Sequence, residues 1–237
     1  MPGLHKNHSC GTIFPVNRKE IRAMKKGVVF DLDGTLIHSL PDIAGAMNRS
    51  LAKFGLPGFE EAAYKYKVGN GVLKLTERCV GDRKDLYDQV KAAYMEDYSQ
   101  HNRVDSHPFR GVEDMLRALN QRGIPVAVLT NKDQRDAESM LHHFFPDVVF
   151  AAIRGRNEGV PLKPDPAGAL LIAEGLGVNP ADCLYVGDTS TDMNCGAAAG
   201  METVGVLWGY RPREELTANG ARHLISDPME LIDLADS

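Results

Sequence analysis

Only four cysteines occur among the 237 residues, Cys10, Cys79, Cys183 and Cys195, and none forms a C-x-x-C pair. That scarcity argues against a zinc site or a disulfide framework. It leaves reduced thiols in a cytoplasmic protein as the expectation. Long apolar runs are missing too: none approaches the ~20 residues of a membrane-spanning helix, so no membrane partner is expected. An excess of basic charge is also lacking. Lys and Arg number 27 against 32 Asp and Glu, a formal net charge of −5. A nucleic-acid partner is therefore not expected. There is no internal repeat and no low-complexity tract. What remains is the ordinary composition of a globular protein, 43% hydrophobic and 25% charged. The length allows one large α/β domain with a small accessory domain, as monomer or homodimer.

The chain divides readily. Residues 1–23 are polar, with His5, His8, Cys10, Pro2 and Pro15, and lack the apolar stretch of a signal peptide. They read as an N-terminal extension, disordered or dispensable, ahead of a natural start at Met24-Lys25-Lys26. Short apolar runs then alternate with helical spacing. Val28–Phe30, Pro125–Leu129, Val148–Ala151, Cys183–Val186 and Thr203–Leu207 predict strands. Val112–Gln121, Arg135–His143, Ala167–Glu174 and Thr191–Ala199 predict helices. Strands alternating with helices imply right-handed crossovers and a parallel sheet. Continuous apolar strands fit burial on both faces.

The stretch between the first and second strands has no comparable strand. Leu40–Phe54, Glu60–Lys67, Val72–Val80 and Lys84–Tyr98 all carry helical spacing, and the stretch is far too long for a loop. The expected organisation is an α/β core formed by residues 24–40 plus 108–237, with a helical domain at 41–107 inserted over it. Ser39-Leu40-Pro41 and Asp105–Pro108 would be its hinges.

Chemistry-bearing residues gather at strand ends, where open parallel sheets bind ligands. Asp31-Leu32-Asp33-Gly34-Thr35 follows the first strand, Thr130-Asn131-Lys132 the second, Lys163 lies in the loop after the third, and Asp188 with Asp192 follows the fourth. One carboxylate can attack phosphorus and form an acyl phosphate. It is repelled by a phosphate dianion unless a cation screens both, and Mg²⁺ held by oxygen ligands does this. Asp31 and Asp188 supply such oxygens, with the backbone carbonyl of Asp33 as a third and Asp192 in support. The Asp33 side chain is then free to move protons, while Lys163 and Thr130 hold the transferring group.

Each piece taken alone also fits a plainer role. Asp-x-Asp-Gly resembles a calcium loop, but its twelfth position falls to Asp42 rather than Glu. The Thr130, Lys163 and Asp188 segments each also fit a helix cap. The set in this order is what points to phosphoryl chemistry.

Phe30-Asp31-Leu32-Asp33-Gly34-Thr35-Leu36, Leu129-Thr130-Asn131-Lys132, Lys163-Pro164-Asp165-Pro166 and Gly187-Asp188-Thr189-Ser190-Thr191-Asp192-Met193 together resemble the four motifs of the haloacid dehalogenase superfamily. The resemblance implies a Rossmann-like core with a helical cap of type C1. It implies Asp31 as nucleophile, Asp33 as acid/base, Thr130 and Lys163 at the phosphoryl group, and Mg²⁺ as cofactor. Ser39-Leu40-Pro41-Asp42-Ile43, Val68-Gly69-Asn70-Gly71-Val72, Val160–Pro166 and Trp208-Gly209-Tyr210-Arg211 are similar to the phosphoglycolate phosphatases of that superfamily. They add Asn131 and the cap loop Gly69, Asn70 and Gly71 as expected substrate contacts. One departure stands out: His38 occupies a place where many of that group carry an acid. The expected substrate is a small phosphorylated metabolite such as 2-phosphoglycolate. A sugar phosphomutase resembling β-phosphoglucomutase, a phosphatase for pyrophosphate or nucleotides, and a non-catalytic phosphate-binding module are the competing readings.

Overall fold

In the computed structural model, residues 24–157 and 159–237 are described. The expectation for residues 1–23 lies outside them. The core is one parallel sheet of six strands: β1 (Gly27–Phe30), β4 (Val126–Asp133), β5 (Phe150–Arg156), β6 (Cys183–Gly187), β7 (Glu202–Val206) and β8 (His223–Ile225). Their spatial order is β5-β4-β1-β6-β7-β8. Two short strands, β2 (Ile37–His38) and β3 (His107–Pro108), form a separate antiparallel pair.

Alternation along the strands makes two cores. Val28, Phe30, Val126, Val128, Leu184 and Val186 face one side of the sheet. There they pack on α5 (Val112–Gln121), α6 (Gln134–Phe144) and α10 (Glu230–Ala235). Val29, Ala127, Leu129 and Tyr185 face the other side, against α7 (Ala167–Leu176) and α8 (Ser190–Ala198). A short α9 (Arg213–Ala218) precedes β8. The chain runs outward from β1 in both directions, so the strand order reverses there. A crevice opens beyond the carboxyl ends of strands at such a point.

Between β2 and β3 lie α1 (Leu40–Ala52), α2 (Glu61–Tyr64), α3 (Gly71–Val80) and α4 (Tyr87–His101). They bury an apolar cluster of their own, including Met47, Leu51, Tyr64, Val90 and Tyr94, which is joined by Tyr210 from the sheet side. The chain enters this insertion through β2 and leaves through β3, with Ile37 paired to Pro108 and His38 to His107. The Asp42 carboxylate clamps the same junction. It accepts hydrogen bonds from the N–H groups of Val104 (3.1 Å), Asp105 (3.0 Å) and Ser106 (2.9 Å), and from the Ser106 hydroxyl (2.6 Å).

Three expectations need correction. The third strand lies at Phe150–Arg156, not Val148–Ala151: Val148 instead closes a turn onto Phe145. The apolar run continues unbroken from Val148 to Ile153, so it does not mark where the turn ends and this half-exposed edge strand begins, nor does it show that the strand goes on through Arg154 to Arg156. The second strand runs past Thr130 to Asp133. The helix expected over Glu60–Lys67 forms only at Glu61–Tyr64.

Candidate active site

Asp31 stands at the end of β1, the innermost position of the crevice, and is buried. Its Oδ1 accepts the Leu32 N–H (2.7 Å) and pairs with Lys163 Nζ (2.7 Å). Its Oδ2 carries no hydrogen bond among the described residues. Lys163 also reaches Asp192 Oδ1 at 2.7 Å, so one ammonium bridges two carboxylates from different loops. The other oxygen of Asp192 closes a capping box at the start of α8, accepting the N–H and hydroxyl of Thr189 at 3.1 and 2.7 Å.

Asp188 follows β6 and is fully buried. Thr35 donates its hydroxyl to Oδ1 (3.2 Å), and the Tyr210 N–H donates to Oδ2 (2.8 Å). Two glycines make room for it. A Cβ on Gly34 would fall 2.4 Å from Asp188 Oδ2, and one on Gly209 would fall 2.2 Å from Asp188 Cβ. Gly34 also needs its left-handed φ of +86° to turn the chain after Asp33.

Asp31, Asp188 and Asp192 offer oxygen atoms within 4.8 Å of one another. Lys163 is the ammonium that bridges two of the three. Burial, then the neighbouring Asp192, pushes Asp31 up to about 7, with Lys163 restraining the rise. Burial, then Asp192 and Asp31, holds Asp188 well above the usual carboxylate range. For Lys163, burial opposes the charge, but Asp192 and Asp31 outweigh it and the group stays protonated. An all-oxygen, buried, under-neutralised cluster is the donor set a hard divalent cation fits.

Asp33 points elsewhere. Ser39 Oγ donates to its Oδ1 (2.5 Å), and Lys132 Nζ donates to both oxygens (2.9 and 3.0 Å). Its carboxylate is therefore not part of the three-acid cluster, and any share it has in holding a cation falls to its backbone. Thr130 is buried beside Asp31, and its hydroxyl accepts the Lys132 N–H at 3.2 Å, which leaves the hydroxyl proton to give.

A cavity of about 70 Å³ opens onto these groups, and Asp31, Asp33, Thr130, Lys132, Gly69 and Gly71 line it. The insertion supplies its apolar wall through Ile43, Val68, Val72, Leu75, Tyr94 and Tyr98. Asn131, Asn70 and His38 do other work. The Asn131 amide donates to the carbonyls of Gly69 (3.0 Å) and Lys163 (3.1 Å), and its oxygen accepts the Lys163 N–H (2.9 Å). These bonds brace two loops. Asn70 turns away from the cavity, to Thr191 and Arg78. His38 sits on the β2–β3 ribbon among the rings of His107, Phe109 and Tyr210, and burial lowers its pKa.

Sequence reasoning gave Ser39 a place only at a hinge and assigned no role to Tyr98, Lys132 or Tyr210. Lys132 and Tyr210 lay inside quoted motifs, and Ser39 opened one. Tyr98 carried no signal beyond helical spacing. The Tyr210 hydroxyl accepts the N–H groups of Ser39 and Leu40, and Trp208 donates to the Thr35 carbonyl. The Trp208–Tyr210 stretch thus braces the Asp31 loop.

Known proteins are similar to this chain in sequence and fold. The family model for haloacid dehalogenase-like hydrolase matches residues 25–200. A phosphoglycolate phosphatase of Pseudomonas putida is 34% identical, covering 86% of this chain and 78% of its own. The N-acetylmuramic acid 6-phosphate phosphatase of Pseudomonas aeruginosa is 30% identical, covering 91% and 96%. A crystal structure from Lactobacillus delbrueckii subsp. bulgaricus superposes with a TM-score of 0.85 at 24% identity, covering 90% of this chain and 99% of the other, which speaks for the fold alone. No helix among the described residues is long and apolar enough to cross a membrane. With four strand-end loops meeting at buried Asp31 and a family model spanning most of the sheet, the chain is a hydrolase of the haloacid dehalogenase-like family.

Proposed function

We propose that this chain hydrolyses small phosphomonoesters through a phospho-aspartate at Asp31, most readily a compound such as 2-phosphoglycolate. The observation that carries the reading is the single ammonium of Lys163 bridging Asp31 and Asp192 beside Asp188. Among the described residues Asp31 Oδ2 carries no hydrogen bond, and Asp31 lines a small cavity. Asp31 attacks phosphorus in line; its oxygen–phosphorus bond forms as the ester bond breaks, and Asp33 gives a proton to the departing oxygen. Water then attacks the phospho-aspartate, gives its proton to Asp33, and inorganic phosphate leaves. Thr130 donates to one phosphoryl oxygen and Lys163 offsets charge on another. Asp31, Asp188 and the Asp33 carbonyl, with Asp192 in support, would hold Mg²⁺, which when bound offsets the repulsion between carboxylate and phosphate.

Residues 41–107 serve as the cap and residues 24–40 plus 108–237 as the core. The separate apolar cluster of the insertion supports this division. So does the apolar wall it adds to the cavity, where closure would exclude water. The names of the Pseudomonas relatives support small phosphorylated metabolites as substrates. Buried unpaired Cys79, Cys183 and Cys195 support a reducing, cytoplasmic setting.

The test is phosphate release from a panel of 2-phosphoglycolate, sugar phosphates, nucleoside monophosphates and pyrophosphate, with Asp31→Asn beside wild type. Release from a small monoester, lost by about 10³-fold or more in a folded Asp31→Asn, is expected. Sugar-phosphate isomerisation without phosphate release would favour the mutase, and turnover by Asp31→Asn would remove the nucleophile.

A further inference from the structure

Lys132 is the cation of this site that the chemistry above leaves without a role. β4 runs on to Asp133, and Lys132 lines the cavity together with Thr130. The Lys132 side chain is 5% exposed. Nζ donates to both oxygens of Asp33, at 2.9 and 3.0 Å, and to the Tyr98 hydroxyl at 2.7 Å. Tyr98 comes from α4 of the insertion, is 3% exposed, and stacks on Tyr94 at 5.3 Å between centroids. Two side chains therefore fix the Asp33 carboxylate: Ser39 from its own loop and Lys132 from β4. Lys132 alone spans both oxygens, and its third hydrogen bond goes to Tyr98 of the insertion.

A carboxylate on a loop rotates freely about its last torsion unless something fixes it. We propose that Lys132 is a positioning residue. It sets the Asp33 carboxylate toward the leaving oxygen, and through Tyr98 it makes that setting depend on the insertion being seated over the core. This rests on the reading of Asp33 as the proton donor. A lysine that merely neutralised a buried acid would affect every substrate alike. A lysine that aims the acid matters most where the leaving oxygen needs a proton.

The experiment compares kcat/KM, which reports transfer to Asp31, for two substrates of the full-length chain with Mg²⁺. One is p-nitrophenyl phosphate, whose leaving group departs as a stable anion. The other is the best primary alkyl phosphate of the panel, whose alkoxide must be protonated. Lys132→Met is expected to lower the alkyl value by about 10²-fold or more and the p-nitrophenyl value by less than about 10-fold. Tyr98→Phe should show the same split, smaller. The double variant should be no worse than Lys132→Met, because the two act through one contact. Equal losses on both substrates, no loss, or additive effects would overturn the proposal. Should Lys132→Met fail to fold by circular dichroism, Tyr98→Phe carries the same comparison. Asp33→Asn separates the two failures: a split there without one in Lys132→Met sinks only the role of Lys132. No split in Asp33→Asn sinks the acid/base reading itself.

Discussion

Asp188 shows how single residues are made to carry this site. It is buried between two glycines, takes one hydroxyl and one backbone N–H, and faces Asp31 and Asp192. Without a cation its charge is a cost to the fold, because burial and like charge both favour the protonated form. Two outcomes follow for thermal melts. Mg²⁺ should raise the Tm of wild type, by an amount corresponding to about 2.7 kcal/mol at a hundredfold excess over Kd. Asp188→Asn should lose most of that gain while melting, in EDTA, no lower than wild type. An unchanged response to Mg²⁺ in Asp188→Asn would remove Asp188 from the cation site. The acids of this cluster were legible in the sequence because a short motif fixes them to strand ends. The aim of Asp33 was not, because it depends on Lys132 and Tyr98, residues 99 and 65 positions away that only folding brings near.

Among elements, the β2–β3 ribbon decides where the insertion sits. Two residues on each strand are too few to hold a domain by themselves, and Asp42 reinforces them with three backbone N–H groups and a hydroxyl. Such a charge-assisted cluster is among the stronger local contacts. Asp42→Asn should cost about 1–3 kcal/mol, read as a lower denaturant midpoint with unchanged m. A midpoint within error of wild type would show that the junction is held otherwise. Hydrophobic periodicity revealed the strands buried on both faces, β1, β4, β6 and β7, and the helices α5 to α8 within a residue or two, but not the short α9 and α10. It set β5 two residues early, because the apolar run from Val148 to Ile153 does not show that Val148 closes a turn, and it missed β8, the other sheet edge, whose three residues are too few to show a period. It could not see β2 and β3, whose pairing joins segments 69 positions apart, as between His38 and His107.

Across the whole molecule, both ends of the described chain are tied to the sheet. Glu202 at the start of β7 pairs with Lys25 ahead of β1 and with His223 on β8, each at 2.5 Å. Partial burial opposes its charge, but these two partners win and draw its pKa down to about 2 from the ordinary 4.5. A lowered carboxylate pKa stabilises the fold at neutral pH, and that stability is lost as pH falls from 4.5 through about 2. After allowance for solvent screening, Glu202→Gln should cost about 1 kcal/mol at neutral pH, or ~2–4 °C in Tm. The gap should close toward about pH 2; a gap that persists or widens in acid would contradict the pairing.

The central claim is that Asp31 becomes phosphorylated during turnover, and trapping that species tests it most directly. Turnover on the preferred monoester would be quenched in acid, and the protein treated with borohydride, which reduces an aspartyl phosphate to homoserine. Peptide mapping should then find homoserine at position 31 and nowhere else. Its absence there under full turnover, or its appearance at Asp33 or Asp188 instead, would contradict the account.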